Sequence, residues 1–281
     1  MAAEYVATRR VGEARVTVIH DATDLWIPKW QAPEAEWRRA IPEADGAGEM
    51  SFDMSVLHVA LGGASVLVDL GYGDAPERYM KRVPYWRSPG IEAGLATIGV
   101  RPEDVTHVVI THAHGDHIMG ATIGRNDAVA RFPRTRHLIQ RIETATKPAP
   151  EWVSAPEKDQ LGALEGLGLL DLVDGDVEVV PGIDMLHAPG ESPGHSVVRV
   201  RSADAVFYCL GDLFHHVAEV ENLAWLPAGR DSIASANSRR RFIDLAIESN
   251  ALLTFTHCPF SCWGRIIRDG TRQRWVHDVQ S

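Results

Sequence analysis

The chain has 281 residues, with 28 Lys and Arg against 38 Asp and Glu and a formal net charge of −10. Apolar residues make up 45% and charged residues 23%, which excludes intrinsic disorder and collagen-like structure and fits one large folded domain. The negative charge repels phosphate and disfavours a nucleic-acid binder that works through a basic field; the one basic run, Arg239-Arg240-Arg241, reads as a solvated helix face.

No stretch reaches the ~18 apolar residues that span a bilayer, and Met1 to Arg10 is too charged for a secretory leader. A cytoplasmic protein without a membrane or nucleic-acid partner is expected. Cys209, Cys258 and Cys262 make no disulfide framework. Cys258 and Cys262 are close enough to pair, but a reducing compartment favours free thiols.

In chain order, Val16 to His20 alternates as a strand, and Trp26 to Ala40, rich in Trp and Pro, reads as an irregular arm or short helix. Ser55 to Ala60 and Ala64 to Leu70 form a hairpin across Gly62-Gly63, with Asp69 interrupting its buried end. Ile91 to Ile98 is a helix closed by Gly99, and Val105 to Thr111 is a β-branched strand. Arg136 to Gln140 is a strand, Pro148 to Pro156 a loop holding Trp152, and Glu157 to Leu169 a helix. Val177 to Val180 and Ile183 to His187 turn at Pro181-Gly182, and Val197 to Arg201 with Ala205 to Leu210 is a further hairpin. Ile233 to Glu248 is the longest amphipathic helix and Leu252 to Thr256 a buried strand. Gly264 to Arg268 and Arg272 to His277 form a last hairpin across Asp269-Gly270. This is an α/β pattern with sheets in the middle and helices outside.

Thr111-His112-Ala113-His114-Gly115-Asp116-His117 is the decisive segment. In an extended backbone His112 and His114 point their imidazoles the same way. Gly115 permits a sharp turn, so Asp116 and His117 open the next helix and point back into the same space. Such a density of ligand side chains at the end of a buried strand suits a metal and argues against a mere polar surface loop. Downstream, His195 follows Gly194, Asp212 follows Gly211 and His257 follows Thr256. Each alone reads as an ordinary core or surface residue, but together they set three more donors at strand ends.

The order H-x-H-x-D-H, G-H, G-D, T-H resembles the metallo-β-lactamase fold superfamily of hydrolases over about Ser55 to Trp275. Gly211-Asp212-Leu213-Phe214-His215, Thr256 to Phe260 and Gly264 to Gly270 are similar to the branch that contains methyl parathion hydrolase and several lactonases. The resemblance implies a four-layer αββα sandwich, residues 1–50 being an N-terminal arm on the domain or a dimer partner and 51–281 the hydrolase domain. It implies two divalent ions. Zinc suits the donors, and manganese, cobalt or iron also fit. His112, His114 and His195 would hold the first ion, Asp116, His117 and His257 the second, and Asp212 would bridge them.

A hydroxide shared by the ions would attack a lactone or related ester, acyl-homoserine lactones included, with Asp116 orienting it and taking its proton. His215 stands three residues after Asp212, where several lactonases carry a tyrosine that assists the leaving group; it supplies that proton as an imidazolium or lines the pocket. Asp69 orients a ligand histidine from behind or caps the turn at Gly71. Trp26, Trp152, Trp263 and Phe214 are the expected pocket aromatics, and His216 is expected at the surface. Alternative activities are phosphotriester or aryl-ester hydrolysis and a glyoxalase II-like thioesterase; the reading outside enzymes is a metal-binding module. Antibiotic hydrolysis is disfavoured, because Asp212 stands where thiol-using β-lactamases place a Cys ligand, and Cys209 falls inside an apolar strand. The resemblance also implies a homodimer that uses the N-terminal arm.

Overall fold

The computed structural model of the chain describes residues 4–73, 85–123, 129–144, 155–270 and 272–279. In chain order its strands are β1 (Val6–Val11), β2 (Ala14–Trp26), β3 (Met50–Leu61), β4 (Ala64–Val68), β5 (Trp86–Arg87), β6 (His107–Val109), β7 (Thr122–Ile123), β8 (Val129–Ala130) and β9 (Arg136–Gln140). There follow β10 (Leu170–Val173), β11 (Val177–Val180), β12 (Ile183–His187), β13 (Ser196–Ser202), β14 (Ala205–Cys209), β15 (Leu252–Thr254), β16 (Gly264–Asp269) and β17 (Arg272–His277). One sheet runs β1-β2-β3-β4-β6-β9-β10 with β5 beside β2, a second runs from β11 through β17 in sequence order, and β7 pairs with β8.

Strand alternation sets the layers. Val16, Val18, Leu57, Val59 and Val66 of the first sheet pack against Met185, Val198, Val200 and Phe207 of the second. Ile19, Val56, Leu67 and Val108 face the other way, onto Ile91 and Leu95 of the Ile91–Thr97 helix and Leu161 and Leu164 of the Ala155–Gly166 helix. On the far side Val197, Tyr208 and Leu253 meet Phe242, Ile243 and Ala246 of the Ser232–Glu248 helix. The order is helix, sheet, sheet, helix, as the resemblance implied. Each buried Val, Leu or Phe is worth about 1.5–3 kcal/mol, so a one-residue slip in any central strand turns a large apolar area to water.

β4, β6, β9 and β10 run parallel in the first sheet, and β14 with β15 in the second. Carboxyl ends of parallel strands are where an α/β sheet opens a crevice. Asp69 and His112 follow β4 and β6, and Asp212 and His257 follow β14 and β15.

Several expectations are corrected. Within the stretch expected as an N-terminal arm on the domain or a dimer partner, Val6–Val11 and Ala14–Trp26 pair over six registered positions and build one edge of the first sheet. Helix Glu34–Ala40 lies in the Trp-rich stretch, where Trp37 packs with Trp30, Ile41, Met50 and Trp225 in a small core of its own. Arg239 is not on a solvated face but 1% exposed. Cys258 and Cys262 are bonded to each other, their Cα atoms 5.6 Å apart, because the turn between them brings the thiols together; Cys209 is free and buried. The loop expected at Pro148 to Pro156, with Trp152, lies for the most part outside the described residues. Among the described residues no helix is long and apolar enough to cross a membrane.

Candidate metal centre

The site is assembled from five loops, those after β4, β6, β12, β14 and β15. After β4 the chain turns at Asp69, whose φ of 64° is a left-handed conformation a short polar side chain tolerates. Its carboxylate then points under the next loop. Asp69 Oδ1 accepts the Thr111 N–H at 2.7 Å, and Oδ2 accepts the Thr111 hydroxyl at 2.9 Å. The same Oδ2 lies 2.8 Å from His117 Nδ1. His117 therefore donates through Nδ1 and keeps Nε2 for the centre, the role of a carboxylate behind a ligand histidine. Asp69→Ala is expected to weaken divalent-ion binding about 10–100-fold, measured by chelator competition; unchanged affinity would mean that the carboxylate only closes a turn.

His112 Nε2 and His114 Nδ1 converge to 2.7 Å. Burial above all keeps His112 well below the ordinary imidazole range, so it stays a neutral donor. The Gly115–Ile118 turn of helix brings Asp116 Oδ2 to 3.6 Å from His117 Nε2 and 3.4 Å from His257 Nε2. At Gly211, φ 54°, a Cβ would sit 2.6 Å from His195 Nε2, so only glycine lets the chain deliver Asp212 there. Asp212 Oδ1 is 3.2 Å from His117 Nε2, and Oδ2 is 3.1 Å from His257 Nε2 and 3.7 Å from His112 Nε2. His257 in turn donates Nδ1–H to the Asp53 carbonyl of β3 at 2.8 Å and is stacked by Phe52, ring centroids 3.7 Å apart.

Two groups of donors result, each with its ligand atoms within 4.8 Å of one another: His112, His114, Glu191 and Asp212, and Asp116, His117, Asp212 and His257. Asp212 belongs to both. His117 Nε2 and Asp212 Oδ1 are buried without a well-formed hydrogen bond. Burial opposes charge on His117, but Asp212, Asp116 and Asp69 outweigh it and hold its pKa well above normal. Buried, orphaned donor atoms in a field of carboxylates fit divalent cations.

Six of the seven ligands expected from the sequence therefore meet as two sets. His195 lies beside them, its ring centroid 5.2 Å from that of His112. It donates Nδ1–H to the Ala188 carbonyl at 3.0 Å, which fixes the tautomer with a basic Nε2, but that Nε2 takes the Asp212 N–H at 2.9 Å. Glu191 occupies the corresponding place in the first group. Sequence reasoning missed it because a lone Glu in the turn Pro189-Gly190-Glu191 looks like a surface residue. It also missed Glu143, 1% exposed, whose carboxylate accepts Ala113 N–H at 3.0 Å, the Ser192 hydroxyl at 2.7 Å and Gly194 N–H at 2.6 Å. Glu143 thereby clamps the His112–His117 loop to the His195 loop.

The donors floor a pocket of about 300 Å³ walled by Trp26, Phe52, His215, Pro227 and Arg230. Of the expected aromatics among the described residues, Trp26 alone lines it; Trp152 lies outside the described residues. Trp263 is 3% exposed in the core between the sheets, and Phe214, fully buried, packs under the Arg239 guanidinium. His216, expected at the surface, is 8% exposed and bonds Glu43 at 2.9 Å. His215 Nε2 is 3.6 Å from Glu191 Oε2 and 3.8 Å from Asp212 Oδ2. Burial opposes its charge, yet Glu191 and Glu219 prevail and push its pKa up to about 10. A larger hollow of about 490 Å³ lies beside the Ser232–Glu248 helix. It is lined by ion pairs such as Arg241–Asp176 at 2.6 Å and Arg199–Asp184 at 2.9 Å, and no donor group of the metal-binding kind lies there among the described residues.

Residues 55–248 match the family model described as Metallo-beta-lactamase superfamily. An N-acyl homoserine lactonase from Bacillus sp is 28% identical over 166 residues, 58% of this chain and 60% of that protein. An atrochrysone carboxyl ACP thioesterase from Pseudocercospora fijiensis is 30% identical over 151 residues, 53% of this chain and 38% of that protein. The chain thus spans about 60% of the length of the curated lactonase it matches. Among solved structures, AidC, a dizinc quorum-quenching lactonase in complex with a product, superposes with a TM-score of 0.82 over 98% of both chains at 19% identity. The hydrolase AbOPH gives a TM-score of 0.79 over the whole of both chains at 16% identity. These two share the fold. Taken with the layered sheets and the paired donor groups, the match over residues 55–248 shows that the chain belongs to the metallo-beta-lactamase superfamily.

Proposed function

We propose that this chain is a dinuclear metal-dependent hydrolase that opens lactone rings, with N-acyl homoserine lactones as the substrate class. The observation that carries the reading is Asp212, one carboxylate shared by two donor groups at the floor of an aromatic-walled pocket. The named lactonase relatives support the substrate class.

His112, His114, Glu191 and Asp212 would hold one ion and Asp116, His117, Asp212 and His257 the other, with His195 beside the first group, its ring centroid 5.2 Å from that of His112. Zinc suits this nitrogen and oxygen set. Bound divalent ions supply Lewis acidity for the scissile carbonyl and lower the pKa of water toward ~7.

The protein's own groups do the rest. Asp116 Oδ2, within 3.6 Å of two ring nitrogens, is placed to orient the attacking water and accept its proton. His215 faces the same floor, its Nε2 3.6 Å from Glu191 Oε2 and 3.8 Å from Asp212 Oδ2, and is placed to return a proton to the alkoxide as the ring opens. Trp26 and Phe52 shield that transfer from bulk water. No side-chain nucleophile is required, and Cys209 would be a poor one, since burial pushes its thiol up to about 12.

A thioester is the second reading, favoured by the similarity to an acyl carrier thioesterase. Chelation should abolish hydrolysis and zinc restore it, and the restored enzyme should turn over N-acyl homoserine lactones faster than γ-lactones, aryl esters, thioesters or phosphotriesters. Protein carrying two ions per chain that opens no lactone would sink the proposal.

A further inference from the structure

Arg230 is the one Lys or Arg among the described residues that line the pocket; the other charged lining groups are Asp116, Glu191, Asp212 and the histidines. Its place is rigid. Asp231, the next residue, caps the Ser232–Glu248 helix by accepting Ile233 and Ala234 N–H at 3.0 Å each. The Asp231 N–H donates to the Gly190 carbonyl at 3.2 Å, next to Glu191. Gly190 lies so close to Ser235 that a Cβ there would come within 2.5 Å of its backbone. On the other side Ala228 N–H donates to the Lys29 carbonyl at 3.2 Å and Gln31 N–H to the Leu226 carbonyl at 3.0 Å, pinning the approach.

Glu191 Oε1 touches both Arg230 Nη2, at 2.5 Å, and His114 Nδ1, at 3.3 Å. The guanidinium therefore stands one carboxylate away from a metal-donor ring. The pairing with Glu191 does not exhaust it, since Arg230 Nε is buried and makes no hydrogen bond. The guanidinium lines the pocket and its side chain is 23% exposed, so a permanently charged group beside Glu191 is open to an acceptor oxygen of a bound substrate. That oxygen is not the scissile carbonyl, which the proposed hydrolysis sets at the metal donors; Glu191, itself one of them, stands between His114 and Arg230.

We propose that Arg230 is a specificity-determining residue whose guanidinium binds a second carbonyl oxygen of the substrate, the acyl-amide oxygen beside the lactone ring. The inference deepens the lactonase reading and rests on it. A site built to hydrogen-bond a substrate group rejects the analogue that lacks it, because the buried donor is then left unpaired.

The test compares zinc-loaded wild type, Arg230→Met and the double variant Glu191→Gln/Arg230→Met, which leaves no lone buried carboxylate. Each is assayed on an N-acyl homoserine lactone and on a γ-alkyl lactone of equal chain length without the amide. The ratio of the two kcat/KM values is expected to fall about 10–100-fold in both variants, mostly through KM on the amide substrate. An unchanged ratio in the variants, with wild type active on both lactones, overturns this inference and leaves the lactonase reading standing. A ratio that falls in Arg230→Met and recovers in the double variant also overturns it, because the effect then belongs to the stranded Glu191. Wild type that opens neither lactone overturns both.

Discussion

Asp212→Ala is expected to leave at most one divalent ion per chain and to lower kcat/KM on the best lactone by ~10³-fold or more. Asp212 Oδ1 faces His117 Nε2 at 3.2 Å and Oδ2 faces His257 Nε2 at 3.1 Å, so a single side chain serves both donor groups. Charge stabilisation by a bound ion is worth several kcal/mol at the transition state, and ~4 kcal/mol corresponds to ~10³ in rate. The fold should survive. Asp212 contributes its backbone N–H, not its carboxylate, to the bond with His195 Nε2, and the Leu210 N–H still reaches the Thr254 carbonyl at 2.9 Å. Asp212→Asn keeps the shape and half the acceptors, and should lie between wild type and alanine in metal content. Elemental analysis beside steady-state kinetics checks the set; full metal with full activity in the alanine variant would refute the shared-ligand role.

Arg239→Met is expected to destabilise the protein by about 3–5 kcal/mol, because it removes one partner of a buried ion pair and strands the other. Arg239 and Glu219 have side chains 1% and 0% exposed and bond each other through Nη2 and Oε2. Arg239 also donates from Nε to the Leu213 carbonyl at 2.9 Å and from Nη1 to the Trp225 carbonyl at 2.8 Å and the Leu223 carbonyl at 3.1 Å. Methionine fills much of the volume, but Glu219 is then left charged in a dry place. Glu219 further accepts Trp30 Nε1–H at 2.7 Å and His215 N–H at 3.2 Å, so the loop that presents His215 loosens with it. Urea unfolding measures the loss, and an Arg239→Met/Glu219→Leu double variant should recover part of it. A single variant within about 1 kcal/mol of wild type would mean that solvent reaches the pair.

The fold, and most of the side chains that meet in the two donor groups, were legible in the sequence because they rest on local spacing. Val16 and Val18 alternate with Thr17 and predict a strand, and His112, His114, Asp116 and His117 crowd the end of another. Single residues far apart in the chain gave no such signal. Glu191, Arg230, Glu219 and Glu143 stand in no local pattern, and only tertiary packing sets Glu191 against Arg230, Glu219 against Arg239 and Glu143 against Ala113 and Gly194. Nearness along the chain also misled. Trp263 is six residues from His257, yet the turn closed by Cys258 and Cys262 swings it into the core between the sheets. Val6–Val11 escaped notice as a strand because Thr8, Arg9 and Arg10 break its apolar pattern, as an edge strand allows.

The bond from His257 Nδ1 to the Asp53 carbonyl joins residues 204 positions apart, one leaving the second sheet and one inside the first. During synthesis the N-terminal sheet and the His112–His117 loop emerge long before His257 does, and the donor group of Asp116, His117, Asp212 and His257 stays incomplete until the last strands have docked. Loops of this length close slowly. An ion caught early by the leading histidines would therefore have only loose hold until the C-terminal half arrives, and maturation of the holoprotein would be timed by the docking of its two sheets rather than by the supply of metal.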